Sequence, residues 1–202
     1  MAKLIFKYGT MASGKSLHLL STAHQFKING IKYQLLKSSI DTRDDGVISS
    51  RIGIEEPCTI ISPSDDIWKH VNYVRINEIK WLLVDEAQFL TANQVDELAH
   101  LVDKHNINVV CYGLRTDYLT HLFEGSKRLF EIADHFEELP SYCECGQKNS
   151  VNARLTEKGD IDFTIGNQIE VGGDNKYKAM CRNCYTSKLI DSLEPAEEIY
   201  EQ

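Results

Sequence analysis

Eight residues near the start of the chain, Gly9-Thr10-Met11-Ala12-Ser13-Gly14-Lys15-Ser16, fit the pattern G-x-x-x-x-G-K-[ST]. They follow a short apolar run, Lys3–Tyr8, that reads as a buried strand. They open an apolar-periodic stretch, through about Phe26, that reads as a helix. Strand, loop and helix in this order make a cradle for nucleotide phosphates. Glycines let the backbone wrap the anion, and successive N–H groups and the helix N-terminus point at it. Lys15 reaches the β- and γ-phosphates, and Ser16 offers its hydroxyl to Mg²⁺.

The same alternation continues through the first 140 residues. Ile31–Leu36 reads as a second strand, and Ile79–Val84 as a third whose almost continuous apolar run suits burial on both faces. Thr91 with Gln94 forms a capping box for a helix whose buried stripe is Val95, Leu98, Leu101 and Val102. Asn108–Tyr112 is a fourth strand and Phe136–Leu139 a fifth. Strands alternating with helices predict an α/β fold, a parallel sheet with helices on both faces of the P-loop NTPase-like (RecA-like) kind. Ser38–Gly53 breaks the rhythm: it is polar and aperiodic, holds Asp41, Arg43, Asp44 and Asp45, and is expected to be a mobile surface loop. The expected division is a nucleotide-binding domain over residues 1–140, a small zinc-binding domain over 141–194 and an acidic tail over 195–202.

Composition narrows the partners. The chain is 42% apolar with only 4 prolines among 202 residues, too apolar and too poor in proline for disorder. Its longest apolar stretches, such as Trp81–Val84, fall far short of the roughly 20 residues of a spanning helix, so no membrane is expected. The net charge is −8, and no basic run is longer than Lys127-Arg128, which argues against a nucleic-acid partner. The start is charged again at Lys7, unlike a signal peptide, so a cytoplasmic, reducing compartment is expected.

Three further features carry chemistry. An apolar strand ending in Asp85 places a carboxylate beside Ser16, where it can hold Mg²⁺ directly or through water. Glu86, one residue on, can accept a proton from the group that attacks the γ-phosphate, whether water or a substrate hydroxyl. Arg43, in the polar loop, can neutralise charge on a transferring phosphoryl group. Finally, Cys143-x-Cys145 and Cys181-x-x-Cys184 have the ligand count of a tetrahedral Cys₄ zinc site. Four thiolates leave no open position, so this zinc is expected to be structural, clamping a loop whose alternating stretches Asp162–Ile165 and Gln168–Val171 read as two strand-like halves around Gly166-Asn167.

These residues, taken with Val84-Asp85-Glu86-Ala87-Gln88-Phe89-Leu90, Tyr112-Gly113-Leu114-Arg115-Thr116-Asp117-Tyr118 and Gly172-Gly173-Asp174-Asn175-Lys176-Tyr177 ahead of Cys181-Arg182, resemble the type II, cytosolic-type thymidine kinases from about Lys3 to Tyr185. The resemblance implies transfer of the γ-phosphoryl of ATP to the 5′-hydroxyl of thymidine, with Mg²⁺, for nucleotide salvage toward DNA synthesis. It implies Glu86 as general base, with Lys15, Ser16, Asp85 and Gln88 serving the nucleotide. Asp41 and Arg43 would lie at the phosphate end of the cleft. Met11, Phe89, Leu114 and Tyr118 would line the thymine pocket, Tyr177 would meet the nucleoside, and Gln168, Ile169, Glu170, Val171 and Gly172 would bind the base edge through backbone groups. It implies a "lasso" between the cysteine pairs, a homotetramer, and feedback inhibition by deoxythymidine triphosphate.

Other readings stay open at this point. Asp85-Glu86-Ala87-Gln88 also resembles a helicase-type box, which would suit a nucleic-acid-stimulated ATPase with a zinc ribbon. A non-catalytic module using ATP as a switch is a second alternative. Deoxycytidine or deoxyuridine could be the acceptor in place of thymidine.

Overall fold

The computed structural model describes residues 1–40, 46–71, 78–166 and 176–193. Among them, six parallel strands form one sheet: β1 (Leu4–Gly9), β2 (Tyr33–Ser38), β5 (Thr59–Ile61), β6 (Trp81–Asp85), β7 (Asn108–Leu114) and β8 (His135–Glu138), in the order β5-β2-β6-β7-β1-β8. The remaining strands are β3 (Val47–Ser49) with β4 (Glu55–Pro57), and β9 (Val151–Arg154) with β10 (Tyr177–Met180), both pairs antiparallel. The helices are α1 (Lys15–Ile28), α2 (Ile67–His70), α3 (Ala92–His105), α4 (Glu124–Ile132) and α5 (Arg182–Leu193), with a 3₁₀ turn over Ala87–Phe89.

Alternating side chains on the central strands explain why helices cover both faces. Leu35, Leu83, Val110 and Tyr112 face α1 and its Leu19, Leu20 and Ala23. Leu36, Leu82, Val84, Val109 and Cys111 face the other way, onto α3 (Val95, Leu98, Leu101) and α4 (Leu129). Each strand thus buries both of its faces, as a parallel sheet requires. The expected capping box is present in full: Thr91 accepts from the Gln94 N–H, and the Gln94 side chain accepts from the Thr91 N–H. No helix among the described residues is long and apolar enough to cross a membrane.

Three sequence expectations need correction. The first helix runs two residues past Phe26, to Ile28. The stretch Ser38–Gly53 is not aperiodic throughout: Val47–Ser49 forms β3, whose Ile48 is fully buried against α1. Two adjacent apolar residues, Val47 and Ile48, gave no periodic signal in a polar run, yet the burial of Ile48 anchors the strand. Among the described residues, the strand-like half Asp162–Ile165 pairs with no strand and runs as irregular chain. The antiparallel pair described in this part of the chain is β9 with β10, closer to the cysteines. The other expected half, Gln168–Val171, lies outside the described residues.

One histidine ties this core to pH. His18 Nδ1 lies 3.1 Å from the Tyr112 hydroxyl between α1 and β7, and burial, then the Lys7 ammonium, lowers its pKa below the usual 6.5. Between that lowered value and 6.5 the unfolded chain binds a proton that the folded one refuses, so stability falls as pH drops through the window and is complete above it. His18→Gln should flatten the dependence of Tm on pH between 5 and 7. Identical slopes for the two proteins would refute this assignment.

Candidate active site

The expected nucleotide residues gather at the carboxyl ends of the parallel strands, where α/β sheets place their ligands. The loop after β1 hangs between Gly9 and the start of α1. Gly9 has no room for a side chain: a Cβ there would stand 2.3 Å from Ser13 Oγ and 2.6 Å from the Leu139 carbonyl oxygen. Ala12 and Gly14 both adopt left-handed backbone, with φ of 60° and 77°. Glycine takes this conformation freely, while for alanine it costs roughly 1–2 kcal/mol. Among the described residues, no side chain caps the N-terminus of α1 and the buried Ser13 Oγ has no hydrogen-bond partner. An uncapped helix end beside an unsatisfied hydroxyl suits an anion supplied from outside. Lys15 folds back along the loop and donates to the Thr10 carbonyl at 2.7 Å.

Asp85 ends β6 directly opposite this loop. The Ser16 hydroxyl donates to its Oδ2 at 3.0 Å, and the Glu86 N–H to its Oδ1 at 3.0 Å. Burial, reinforced by the adjacent Glu86 carboxylate, pushes Asp85 up to about 7 against those two bonds and the Lys15 charge. A carboxylate oxygen and a hydroxyl oxygen side by side have the oxygen-donor chemistry of a Mg²⁺ site.

Glu86 is held by strained backbone and by a buried amide. Its φ of 53° and ψ of 37° lie in the left-handed region, a cost of about 1–3 kcal/mol that persists only where surroundings enforce it. Gln88 Nε2 donates to Glu86 Oε2 at 2.5 Å, and Gln88 Oε1 accepts from the Leu114 N–H at 3.0 Å. Gln88 was expected among the nucleotide-serving residues. It is 1% exposed, and its amide spans from the acidic turn to the end of β7. Gly113 leaves it space, since a Cβ there would stand 2.8 Å from Gln88 Oε1.

Gly125, at the start of α4, presses on the same turn. A Cβ there would stand 2.4 Å from the Ala87 oxygen, 2.8 Å from that of Leu90 and 3.1 Å from that of Gln88. These are backbone atoms, so Gly125→Ala must displace the turn. Overpacking of this kind costs about 1–3 kcal/mol. The expected result is a lower Tm together with a roughly tenfold fall in kcat, because a 1 Å shift of a catalytic group is costly. Unchanged kcat would show that the turn tolerates the shift.

The remaining expected residues fall in two groups. Phe89 packs edge-on against Phe123 with centroids 5.6 Å apart, and Leu114 ends β7 beside Gln88. Tyr118 is buried and its hydroxyl accepts from the Gly166 N–H at 2.7 Å. Met11 is partly buried, and its N–H donates to Asn152 Oδ1 at 2.7 Å. Tyr177 pairs in register with Arg154 across the β9/β10 hairpin. Asp41, Arg43, Gln168, Ile169, Glu170, Val171 and Gly172 lie outside the described residues.

Sequence reasoning passed over three polar residues here: Lys37, Asn152 and Arg154, each buried. Lys37 is the penultimate residue of β2, pairs with Asp85 in strand register, and places its ammonium 3.4 Å from the Val47 carbonyl. Asn152 bridges the phosphate loop to the Thr116 carbonyl. A lysine directly after the apolar pair Leu35-Leu36 was the one signal available for the first. For the other two no pattern announced that β9 would dock beside the loop.

The four late cysteines converge. Their Sγ atoms all lie within 4.8 Å of one another, and those of Cys145 and Cys181 are 3.6 Å apart. A tetrahedron with metal–sulfur bonds of about 2.3 Å has edges of about 3.8 Å, so the four sulfurs fit one zinc ion. The tight Cys143-x-Cys145 spacing works because the Gly146 N–H bonds back to the Cys143 carbonyl at 2.8 Å, with Gly146 at φ 83°. Backbone N–H groups of residues 145 and 181 pull the Cys143 thiol down to about 7, while proton sharing with the other sulfurs holds Cys184 up at about 12. Cys58 and Cys111 stand apart from the cluster.

Comparison with known proteins settles the family. The family model described as thymidine kinase matches residues 2–185. The chain belongs to the thymidine kinase family. It is 44% identical over 191 residues to the thymidine kinase of Zymomonas mobilis subsp. mobilis, covering 94% of this chain and 98% of that one. The thymidine kinase of Rhodopirellula baltica is 42% identical over 209 residues (98% and 99% covered), and that of Enterobacteria phage T4 is 45% identical over 194 (94% and 100% covered). The function is accordingly that of a thymidine kinase, a phosphotransferase of nucleoside salvage, and the nucleic-acid-stimulated ATPase is not favoured.

Proposed function

We propose that Glu86 is the general base that takes the 5′-hydroxyl proton of thymidine as the γ-phosphoryl of ATP is transferred. The observation that carries this is the holding of Glu86 itself: left-handed backbone, an oriented carboxylate and a buried glutamine committed to it. Gly9–Ser16 wraps the phosphates, with Lys15 moving from the Thr10 carbonyl to the β/γ-phosphates. Ser16 and Asp85 hold the Mg²⁺ of the nucleotide. Held there, the ion would supply charge neutralisation at the phosphates. Asp41 and Arg43 serve the phosphate end of the cleft, and Met11, Phe89, Leu114 and Tyr118 line the thymine pocket. Tyr177 and the chain Gln168–Gly172 complete nucleoside recognition.

Cys143, Cys145, Cys181 and Cys184 hold one structural zinc, supported by the sulfur spacing. In this reading residues 1–140 form the nucleotide-binding domain, 141–194 the zinc-binding nucleoside domain, and 195–202 an acidic tail. The enzyme is cytoplasmic, tetrameric and inhibited by deoxythymidine triphosphate. A labelled γ-phosphoryl transfer assay over the four deoxynucleosides, with water as control acceptor, tests the acceptor. Thymidine should be phosphorylated at least about tenfold faster than deoxycytidine, a margin that one methyl contact plus base-edge hydrogen bonds supplies. Equal rates for the pyrimidine nucleosides would defeat strict thymidine recognition. The assay should also show inhibition by deoxythymidine triphosphate, and sedimentation should give four chains.

A further inference from the structure

Arg154 closes β9 and is 6% exposed, an unusual place for a guanidinium in so small a lobe. Its Cζ lies 4.1 Å from the centroid of the Tyr118 ring. Its Nη2 donates to the Thr164 carbonyl at 2.6 Å and lies 2.9 Å from the Thr164 hydroxyl oxygen. Its Nε stands 2.9 Å from Asp162 Oδ2, an ion-pair contact rather than an aligned hydrogen bond. Asp162 in turn accepts from the Thr164 N–H at 2.9 Å and the Thr164 hydroxyl at 2.6 Å.

The chain then passes Tyr118 closely. The Gly166 N–H donates to the Tyr118 hydroxyl at 2.7 Å, and a Cβ on Gly166 would stand 2.8 Å from Arg154 Nη1 and 3.3 Å from the Tyr118 hydroxyl. One guanidinium therefore ties together an aromatic ring from the loop after β7 and a segment 8 to 10 residues beyond itself. A planar cation suits this double task, stacking on a ring with its face while bonding a carbonyl with its edge.

We propose that Arg154 is a positioning residue for nucleoside binding, acting through Tyr118. It fixes the ring from one side and holds Thr164–Gly166 against its hydroxyl, so the shape of the pocket wall depends on it. This inference rests on the reading that Tyr118 lines the thymine pocket. It also accounts for burial of a charge that takes no part in the phosphate site.

The test uses the full-length, zinc-loaded enzyme. Arg154→Met keeps the aliphatic stem and removes the fork. The expected result is a rise of about tenfold in the KM for thymidine, from loss of the stacked cation and its charge-assisted bonds. The KM for ATP and kcat at saturating thymidine should stay within about threefold, since uniform binding alone is lost. Arg154→Lys should recover part of the loss, because an ammonium can bond Thr164 but cannot stack as a plane. Direct titration of thymidine should show the same ordering. A parallel rise in both KM values, or a fall in kcat with thymidine KM unchanged, overturns the proposal.

If Arg154→Met does not fold, Tyr118→Phe and Asp162→Asn each cut one strand of the network. Both should weaken thymidine binding a few-fold without touching ATP, and unchanged thymidine binding in both overturns the proposal. Tyr118→Leu separates this from the underlying reading. Thymidine KM unmoved by Tyr118→Leu defeats the pocket assignment and the proposal with it. A rise with Tyr118→Leu but none with Arg154→Met defeats the positioning role alone.

Discussion

Replacing Glu86 by glutamine is expected to lower kcat by about 10²–10⁴, the usual worth of general-base catalysis. Glutamine keeps the size of the side chain, and Gln88 can still bond its amide oxygen, so the site retains its shape. Phosphoryl transfer passes through a loose transition state with little nucleophile participation, which puts the loss toward the low end of that range. In the proposed site the phosphate loop and Asp85 hold ATP with Mg²⁺, so its Kd should change only a few-fold. Lys15→Ala should behave differently and damage ATP affinity and turnover together. Transfer to thymidine gives kcat, and calorimetry gives Kd. If Glu86→Gln keeps more than about a third of kcat, far above what loss of a base allows, the proton goes to another group.

Cys181→Ser should release the metal. Purified wild-type protein should carry about one zinc per chain, measured by atomic absorption, and the variant close to none. Structural zinc contributes on the order of 10–16 kcal/mol in small domains, so one missing thiolate weakens the site severely. Cys181 directly follows β10, and Cys143 and Cys145 precede β9, so metal loss loosens the hairpin that presents Arg154 and Tyr177. The KM for thymidine should rise more than the KM for ATP. Cys145→Ser, at an exposed cysteine, provides the same test with less burial at stake. Metal-free protein with full activity would end the structural role. Cys58→Ser and Cys111→Ser should keep the zinc, because neither sulfur belongs to the cluster.

Much of this protein was legible as sequence because its informative signals are local. The phosphate loop is eight consecutive residues, the third strand is one apolar run ending in Asp85-Glu86, and the capping box needs only Thr91 and Gln94. Short-range patterns of this kind follow from backbone geometry and periodicity, and no distant partner is needed to read them. The two cysteine pairs are nearly as plain, since spacing and ligand count limit what they can be.

Long-range arrangement was decided only in the tertiary structure. Nothing near Val47–Ser49 announces a strand, because the burial of Ile48 depends on α1 and the core beneath it. Nothing near Asp162–Ile165 denies one, because alternation cannot report that the chain is held instead by a guanidinium. Gln88 read as a nucleotide residue from its neighbours in the motif. Its contacts with Glu86 and Leu114 exist because β6 and β7 lie side by side and Gly113 leaves room. Arg154 meets Tyr118 across 36 residues of chain, a distance over which sequence spacing carries no geometric information. The sequence thus determined the chemistry of the groups and their local frames. Packing between strands and between segments distant in the chain decided which of those groups face one another.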